Sequence, residues 1–383
     1  MTEVHIVEAL RTPMGRNGGS LSEIHPVDLA AHLLKGLLER SNVDPGRVDD
    51  VIFGCIDQVG AQGANIARNS WLAAGLPEHV PAVTIDRQCG SSQQAVHFAA
   101  QGILAGSYDI AIAAGVESMS RVPLGTAWEA GPGLGVGYPF DAAGWVERFG
   151  SGEVHQFRAA DLIADHWELG LDQMATFAAE SHRRAAQARE AGFFEREILP
   201  VGDFDRDETI RPDTTAEIIA GLRPLVEGSR ISIGVASQIA DGASGVVLAS
   251  AEAVDRLGLA SLGIIRGMTA VGSDPTFMLT GPIPATNKLL ERGGLEIDQI
   301  DLFEVNEAFA SVVLAWAAET GASLDKTNVN GGAISLGHAL GCTGTRLLTT
   351  LVHELHRREA RWGLETVCEG GGLANGTLVE RVS

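Results

Sequence analysis

Short apolar segments alternate with longer segments of helical spacing along the first part of the chain. Four short segments, rich in Val, Ile and Ala, predict buried strands: residues 4–7, 48–54, 83–85 and 109–116. Three segments between them carry apolar side chains at helical spacing and predict helices: residues 26–40, 65–74 and 93–104. Alternation of strands and helices in this order is typical of an α/β fold.

The pattern changes at about residue 119 and returns near residue 237. Between them lie a glycine-rich loop at residues 131–137 and a polar, Ala-rich stretch of helical spacing at residues 159–191. Residues 245–249 predict a helix or a strand, and residues 264–271 resume the strand pattern. The chain is therefore predicted to divide into four segments: the first part of an N-terminal half (1–118), an inserted domain (119–236), the completion of that half (237–263) and a C-terminal half (264–383).

The second half of the chain resembles the first. The predicted strand at residues 48–54 resembles residues 297–304, and residues 83–86 with their helix resemble residues 327–334 with theirs. Residues 110–117 resemble residues 364–371. Three matched elements in the same order predict a duplication, in which two similar α/β lobes pack around a shared axis and contribute loops to one crevice.

Composition narrows the class of protein. With 383 residues, 45% of them hydrophobic and 20% charged, the chain is large enough for two or three lobes with a sizeable core. No apolar run is long enough to predict a membrane span, and the first residues lack a basic or Arg-rich targeting pattern. Four cysteines in this length do not suggest a disulfide framework, so we expect a cytoplasmic protein with free thiols.

The formal net charge of −21 argues against nucleic acid as a partner. An anionic ligand would need a local basic patch, and the middle third of the chain supplies five candidate arginines: Arg183, Arg184, Arg211, Arg223 and Arg230.

Cys89 lies where a β-branched strand is predicted to give way to a helix. Gly90 followed by Ser91 and Ser92 supplies a turn and an N-cap. The thiol would then face unpaired N–H groups and the positive end of the helix dipole, which together lower a thiol pKa and can stabilise an oxyanion. An isolated cysteine is more often an inert core residue, so the partners of Cys89 must decide between the two interpretations.

Three further positions could supply such partners. Asn306 stands between a predicted strand and an Ala-rich helix, where an asparagine is most often a cap. His338 is surrounded by five glycines between residues 331 and 344, which allow close approach of a ligand. Cys368 follows the strand at residues 364–367 and precedes three glycines. Two strand-end cysteines at duplicated positions, with a histidine in a loop, predict a reaction centre with two thiols.

Four motifs around these positions resemble the signature blocks of the thiolase family. They are Gln-Cys-Gly-Ser-Ser-Gln-Gln-Ala around Cys89, Asn-Glu-Ala-Phe-Ala from Asn306, Gly-Gly-Ala-Ile-Ser-Leu-Gly-His ending at His338, and Cys-Glu-Gly-Gly-Gly from Cys368. The resemblance runs from Arg11 to the C-terminus. The detailed sequence of these motifs resembles that of actinobacterial 3-ketoacyl-CoA thiolases of steroid side-chain degradation.

The resemblance implies a thiolase fold of two βαβαβαββ halves in five α-β-α-β-α layers, with an inserted loop domain that carries much of the coenzyme A site. It implies an acetyl-CoA C-acyltransferase that transfers an acyl group between a 3-ketoacyl-CoA and CoA and releases acetyl-CoA or propionyl-CoA. A degradative role with a bulky lipid or steroid side-chain substrate is expected. The resemblance further implies CoA as co-substrate, no permanently bound cofactor or metal, and a homodimer or dimer of dimers.

The resemblance also implies a role for each site residue. Cys89 would attack the keto carbon and carry the acyl group, and His338 would accept the Cys89 proton and later point toward a thioester oxygen. Cys368 would protonate the departing carbanion and then deprotonate the incoming CoA. Asn306 would hold a water that forms one oxyanion hole with His338, and the N–H groups of Cys89 and Gly370 would form the other.

Coenzyme A contacts are implied for four residues of or beside the inserted domain: Gln156, Arg211, Asp213 and Ser237. On its own pattern Arg211 could equally be a solvated surface arginine. The chain departs from the family pattern at three places. Ala339 stands where most members have proline, Gly-Ser-Ser follows Cys89 where many have Ser-Ser-Gly, and Glu369 places a carboxylate beside the second thiol, whose pKa its charge would raise.

Other functions stay open at this point. A biosynthetic acetoacetyl-CoA thiolase would use the same residues, whereas other condensing enzymes of this fold carry His or Asn in place of Cys368. A metal site is conceivable because His338 and Cys342 are four residues apart. A non-catalytic acyl-CoA binder would need no pair of thiols. His353 and His356 fit a solvated helix face better than a ligand set.

Overall fold

The computed structural model describes residues 2–150 and 155–382. The described residues form ten strands: β1 (Val4–Arg11), β2 (Gly15–Arg16), β3 (Asp50–Gly54), β4 (Ala82–Ile85), β5 (Ile110–Ser118), β6 (Ala240–Ser250), β7 (Gly263–Gly272), β8 (Leu302–Val305), β9 (Trp362–Glu369) and β10 (Leu373–Arg381). Residues 245–249, left open between helix and strand by the sequence pattern, lie in β6.

The same residues form thirteen α-helices: α1 (Pro26–Ser41), α2 (Ile66–Ala73), α3 (Ser91–Leu104), α4 (Thr126–Gly133), α5 (Ala143–Phe149), α6 (Gln156–His166), α7 (Leu171–Glu190), α8 (Ala216–Ala220), α9 (Ala251–Leu257), α10 (Pro282–Gly293), α11 (Ala310–Thr320), α12 (Ala333–Leu336) and α13 (Thr343–Arg357). The Ala-rich stretch of residues 159–191 is therefore two helices and not one. Within the described part of the chain, no helix is both long and apolar enough to cross a membrane.

The strands follow one path in the order β4-β3-β5-β6-β1-β7-β10-β9-β8, with β2 paired to β6. The first five strands of this path come from the first repeat and the last four from the second. Strand β3 is parallel to β4 and β5, and β8 is parallel to β9. We call the strands of the first repeat the first wing and those of the second repeat the second wing. Among the described residues, β1 and β7 join the wings through two residue pairs, so the path is continuous but narrow at its middle.

The two repeats have the same register. Phe53 pairs with Ala114 in the first wing and Val305 pairs with Thr366 in the second, and the same shift along the chain relates both pairs. The third strand of the second repeat is reduced to an isolated bridge between Phe303 and Thr327. The predicted duplication is confirmed, except that the segment expected to match β4 is not a regular strand.

Apolar side chains divide the molecule into five layers. Helices α1 and α2 cover the outer face of the first wing, where Leu33 and Trp71 pack in one cluster with Phe53. Helices α10 and α11 cover the outer face of the second wing. Helices α3 and α13 lie between the wings, and Leu348 of α13 shares a cluster with residues of β3, β6 and β10. The arrangement is α-β-α-β-α, as expected.

The segment between β5 and β6 contains helices α4 to α8 and lies outside this repeat pattern. Helices α6 and α7 share an apolar cluster with α11, which follows β8. The inserted helices therefore rest on the second repeat, next to the loops that follow its strands.

Candidate active site

Cys89 lies on a short turn between β4 and α3. The preceding residue, Gln88, has a φ of 49°, so the chain reverses direction immediately before the thiol. Ser91 Oγ accepts a hydrogen bond from Arg87 N (2.8 Å) and donates one to Gln88 O (2.6 Å). Ser91 is thus used inside the turn, and the N-cap of α3 is Gly90, which has no side chain to cap the helix. The expected serine cap is wrong, but the turn holds Cys89 at the helix N-terminus.

His338 lies in the loop between α12 and α13. Its Nδ1 is 2.7 Å from Thr343 Oγ1, and its Nε2 is 3.5 Å from Asn306 Nδ2. The backbone N–H of His338 donates to Gln238 O (2.8 Å), which ties the loop to the chain entering β6. Burial, together with the charge of Arg346, lowers the pKa of His338 to about 3, so the imidazole is neutral.

Asn306 and Cys368 follow neighbouring strands of the second wing. Asn306 comes directly after β8, and Cys368 is near the end of β9, so Asn306 Nδ2 lies 3.9 Å from Cys368 Sγ. One amide therefore contacts both the His338 imidazole and the Cys368 thiol. Asn306 Oδ1 is buried and accepts no hydrogen bond from the described residues.

Burial controls the titration of both thiols. Burial raises the pKa of Cys368 to about 12, although the hydrogen bond from Asn306 lowers it. Burial also raises the pKa of Cys89, and the next largest cause is the nearby Cys368, which places the two sulfur groups in one electrostatic environment. The sequence argument expected the helix dipole to lower the Cys89 pKa. That expectation is wrong for the net shift, because desolvation of the buried thiolate raises the pKa although the backbone N–H of Cys89 lowers it.

Glu369 lies against the Cys89 turn. A Cβ atom built on Gly90 would stand 1.8 Å from Glu369 Oε1, so any side chain at this position would displace the Glu369 carboxylate, which accounts for the glycine after Cys89. Burial, more than the charge of Asp86, raises the pKa of Glu369, and Arg87 lowers it. A Cβ atom on Gly370 would lie 2.9 Å from Gln88 Oε1, so the loop after β9 and the Cys89 turn are in contact.

Two buried carboxylates that the sequence reasoning did not select hold these loops in place. Glu307 accepts hydrogen bonds from Ser181 Oγ (2.8 Å), Asn328 Nδ2 (2.9 Å) and Ile334 N (3.1 Å). Because Glu307 directly follows Asn306, these bonds hold α7 and the start of α12 against the Asn306 segment. The sequence did contain a signal for Glu307, because this residue stands directly beside Asn306 in the predicted reaction centre.

Glu117, at the end of β5, is the second such carboxylate. It accepts hydrogen bonds from Ile56 N (2.9 Å), Gln62 Nε2 (2.8 Å) and Gly341 N (3.0 Å), and so joins the first wing to the His338 loop. Burial raises its pKa to about 7, although these donors lower it. The shift that relates the two repeats places Glu369 on Glu117, so the two carboxylates occupy equivalent positions. The same shift places Cys368 on Val116, so the expectation that Cys89 and Cys368 occupy duplicated positions is wrong.

A cavity of about 600 Å³ opens above His338. Gln156, Arg211 and Ser237 line it, as expected for ligand contacts, together with apolar side chains: Leu124, Phe157, Ile219, Leu222, Leu225, Ile233, Ile239, Phe309 and Leu340. The Arg211 guanidinium donates to Gln238 Oε1 (3.2 Å) at the cavity wall. Asp213 is exposed and is not itself among the described residues that line the cavity, but its neighbours Arg211 and Thr214 are.

A larger cavity of about 1060 Å³ lies beside the loop after β1 and the chain after α7. It is lined mainly by charged side chains and includes none of Cys89, Asn306, His338 or Cys368. The smaller cavity includes one of these four residues, His338, so cavity size alone does not identify the reactive site.

The part of the chain that the structure describes contains no group of three or more His, Cys, Asp or Glu side chains arranged to hold a metal ion. His353 and His356 are not on a solvated face. Their Nε2 atoms bond to Ala9 O (2.9 Å) and Leu262 O (2.6 Å), so both are partly buried and link α13 to the first repeat.

Residues 4–252 match the family described as thiolase, N-terminal domain, and residues 259–381 match the family described as thiolase, C-terminal domain. The chain belongs to the thiolase family, as the four motifs indicated. It is an enzyme of the acetyl-CoA C-acyltransferase class, and coenzyme A is a substrate of this family.

Individual relatives cover the whole chain. It is 51% identical over 387 residues to the steroid 3-ketoacyl-CoA thiolase FadA6 of Mycobacterium tuberculosis, a match that covers 100% of this chain and 95% of that protein. It is 41% identical over 398 residues to the 3-ketoacyl-CoA thiolase of Serratia proteamaculans, with 100% of both chains covered. The crystal structure of human mitochondrial 3-ketoacyl-CoA thiolase in complex with CoA aligns with a TM-score of 0.89 at 33% identity and covers 100% of this chain and 98% of that one.

Proposed function

We propose that this enzyme cleaves a 3-ketoacyl-CoA and transfers its acyl group to CoA through a thioester on Cys89. The observation that supports this most is the meeting of groups from both repeats. Asn306 lies 3.5 Å from the His338 imidazole and 3.9 Å from the Cys368 thiol, and the Cys89 turn contacts the loop that follows Cys368. Such a set supplies a nucleophile, a base and a separate acid that can protonate the leaving carbon.

In the first half-reaction, Cys89 Sγ attacks the keto carbon of the substrate while His338 Nε2 accepts the thiol proton. The bond between the α and β carbons then breaks, and its electron pair leaves with the acetyl-CoA unit as an enolate. Cys368 donates its proton to the enolate carbon and becomes a thiolate. A thiol with its pKa raised to about 12 is protonated before the reaction, as a group that donates a proton to the enolate carbon must be.

In the second half-reaction, the Cys368 thiolate takes the proton of the CoA thiol. The CoA sulfur attacks the acyl carbonyl carbon, Cys89 leaves as a thiolate, and His338 returns the proton to it. Developing oxyanions would be stabilised by the N–H groups of Cys89 and Gly370 at one position, and by His338 with a water held by Asn306 at the other.

CoA would bind between the inserted segment of residues 119–236 and the repeats. Gln156, Arg211 and Ser237 would contact it, with Ser237 toward the pantetheine and Arg211 toward the nucleotide, and their shared cavity wall supports this. Asp213 is proposed as a further CoA contact, because it stands between Arg211 and Thr214, which both line the cavity. The segment boundaries at residues 118, 236 and 263 divide the chain into the two halves and this insertion.

The proposed substrate is a 3-ketoacyl-CoA with a bulky lipid or steroid side-chain acyl group, and acetyl-CoA or propionyl-CoA would be released. Two observations support a bulky acyl group. The relative at 51% identity is named a steroid 3-ketoacyl-CoA thiolase, and the cavity wall is largely aliphatic. CoA is a co-substrate, and the proposed steps use groups of this chain and a water, with no permanently bound cofactor or metal. We also propose that the enzyme acts in the cytoplasm as a homodimer or dimer of dimers, as its family resemblance implies.

A biosynthetic acetoacetyl-CoA thiolase is the second candidate, since the same groups run the reaction in either direction. The test compares acetoacetyl-CoA with long-chain and polycyclic 3-ketoacyl-CoA by CoA-dependent loss of enolate absorbance. A kcat/KM at least about tenfold higher for the bulky substrate, roughly 1.4 kcal/mol of transition-state binding, is expected. Higher kcat/KM for acetoacetyl-CoA would favour the second candidate.

Mass spectrometry after incubation with a 3-ketoacyl-CoA tests the thioester. Wild-type protein should carry the acyl group on Cys89, and Cys89→Ser should carry none. Cys368→Ser should still acylate Cys89 slowly from a reactive acyl donor but should fail to exchange the α-protons of acetyl-CoA with deuterium. An adduct on another cysteine, or proton exchange that survives in Cys368→Ser, would contradict the proposed roles.

A further inference from the structure

Thr343, the first residue of α13, contacts the back of the His338 ring. It is 2% exposed, and its Oγ1 lies 2.7 Å from His338 Nδ1 and 3.0 Å from Ala339 O. The Ala339 carbonyl is four residues earlier in the chain, so the hydroxyl bonds back to it across the start of the helix. A single hydroxyl group therefore has two hydrogen-bond partners.

The donors in this contact can be counted. A threonine hydroxyl has one proton to donate and two lone pairs, whereas a carbonyl oxygen can only accept. The hydroxyl proton therefore goes to Ala339 O, and the lone pair that faces His338 accepts the proton of Nδ1. On this count Nδ1 is the protonated nitrogen of the ring.

The other side of the ring agrees with this assignment. Asn306 Nδ2, a donor group, is 3.5 Å from Nε2 and also faces Cys368 Sγ. If the hydroxyl donated to Nδ1 instead, Nε2 would carry the proton and two N–H groups would face each other inside the protein, which is costly when buried. Both neighbours therefore select the Nδ1–H tautomer.

We propose that Thr343 is a positioning residue that holds His338 in the Nδ1–H tautomer, so that the Nε2 lone pair faces the reaction centre and can accept the Cys89 proton. This inference rests on the proposed function of His338 as the base. Thr343 itself touches neither substrate nor reacting atoms. It acts through the ring, by fixing both the protonated nitrogen and the ring plane.

A hydroxyl differs here from a carboxylate. A carboxylate at this place would stabilise the imidazolium by charge and would make it slow to release its proton. The neutral Oγ1, at the positive end of α13, leaves the imidazolium weakly stabilised. His338 can then return the proton to Cys89 when CoA arrives, as the second half-reaction requires.

The test uses Thr343→Val, which keeps the branched shape and removes the hydroxyl, and Thr343→Ser, which keeps the hydroxyl. Thr343→Val should lower kcat and the rate of Cys89 acylation about 10- to 100-fold, with KM for CoA within about twofold, because general-base catalysis is lost while binding is kept. Thr343→Ser should stay within about threefold of wild type.

Thr349→Val is the matched control. Thr349 lies on the same helix, is buried, and donates to Thr345 O (2.7 Å) through the same back-bond, but no histidine bonds to it in the described residues. A merely structural effect of losing a buried hydroxyl would appear in both valine variants. Only Thr343→Val should lose activity.

Nitrogen-15 spectra of histidine-labelled protein measure the tautomer directly, with the His338 signals assigned by their loss in His338→Gln. Wild-type protein without substrate should show protonated Nδ1 and unprotonated Nε2 at neutral pH, and Thr343→Val should show the other tautomer or a mixture. A wild-type ring protonated at Nε2, or a folded Thr343→Val with normal kcat and tautomer, would overturn the proposal.

If Thr343→Val did not fold, the wild-type spectrum and the Thr343→Ser rates would still decide. Failure of the proposed function is a separate result. It would appear as no CoA-dependent cleavage by wild-type protein, whereas the tautomer is read without any substrate.

Discussion

At the scale of single residues, the reactive groups are stored in their neutral forms. Burial raises the pKa of Cys368 to about 12 and lowers that of His338 to about 3, and it also raises the pKa of Cys89. Charge therefore has to be created when substrate binds, by transfer of a proton between groups already in place. A site of this kind avoids the desolvation cost of a standing ion pair between thiolate and imidazolium.

The depressed pKa of His338 predicts the acid side of the pH–rate profile. An exposed histidine would lose its basic function below its ordinary pKa of 6.5, whereas His338 should stay unprotonated down to about 3. We expect kcat/KM for acetoacetyl-CoA to show no acid limb near 6.5, measured over the pH range in which the protein stays folded. An acid limb near 6.5 that matches a titration of the His338 nitrogen signals would contradict this.

Glu369 predicts a change on the alkaline side. Its charge raises the pKa of Cys368, after burial as the largest cause. Removing a neighbouring negative charge favours the thiolate, so Glu369→Gln should move the alkaline limb of the pH–rate profile to lower pH, by about one pH unit or less. Glu365→Gln, on the same strand but facing Arg346 and Glu304, is the control and should leave the limb in place. A shift to higher pH would show that Glu369 has another role.

At the scale of elements, the contact between the two central helices depends on missing side chains. A Cβ atom on Gly344 of α13 would lie 2.4 Å from Gln93 N of α3, and one on Gly115 of β5 would lie 2.1 Å from Gly341 O. The backbones therefore meet directly. This close packing brings the Cys89 turn at the start of α3 next to the His338 loop at the start of α13.

Gly344→Ala should destabilise the protein. Alanine is favoured over glycine in a helix by about 1 kcal/mol, but overpacking against a fixed backbone atom costs about 1–3 kcal/mol. We expect a lower thermal midpoint and reduced activity, measured by circular dichroism and turnover. Gly144→Ala is the control, because its helix α5 has open space around that position among the described residues. A Gly344→Ala variant as stable as Gly144→Ala would contradict the packing argument.

The elements themselves were largely predictable, because buried strands and amphipathic helices leave an apolar period in the sequence. Strand β6 was ambiguous, since residues 245–249 are small and apolar without a period. The segment at Thr327 has strand-like residues, but Asn328 adopts a φ of 48° and Gly331 a φ of 84°, so the chain turns at once. Patterns of residue type do not reveal such local reversals.

The site was predictable to a different degree. Cys89, Asn306, His338 and Cys368 could be selected from the sequence because each stands in a motif at the end of a predicted element. Thr343 and Glu117 could not be selected, because their contacts are with residues that only the fold brings near. Glu117 and Gly341, for example, are bonded although 224 residues separate them.

At the scale of the whole molecule, one buried ion group joins the inserted segment to the repeats. Arg11 at the end of β1 donates from Nε to Glu197 (2.6 Å) and from Nη1 to Asp207 (2.7 Å), and all three side chains are buried. Glu197 and Asp207 belong to the segment between α7 and α8. The inserted segment is therefore bound to the end of β1 by this ion group, in addition to its apolar contacts with α11.

Arg11→Met should lower the free energy of unfolding by about 3–5 kcal/mol, because two carboxylates would stay buried without their cation. Urea unfolding measures the loss. Arg256→Met is the control, since its pair with Asp109 is half exposed and should contribute at most about 1 kcal/mol. Adding Glu197→Gln and Asp207→Asn to Arg11→Met should recover part of the stability. No recovery would mean that lost packing, not unpaired charge, causes the effect.

The shared register of the two repeats has a consequence for the site. Two identical copies would form two equivalent crevices, yet the positions of Asn306 and Cys368 are occupied in the first copy by Gly54 and Val116, which carry no reactive group. Next to Val116, Glu117 accepts hydrogen bonds from Ile56 N and from Gly341 N of the opposite loop. The two copies therefore supply different groups: the first contributes Cys89 and the hydrogen bonds of Glu117, and the second contributes Asn306, His338 and Cys368. Neither repeat could therefore form the complete site by itself.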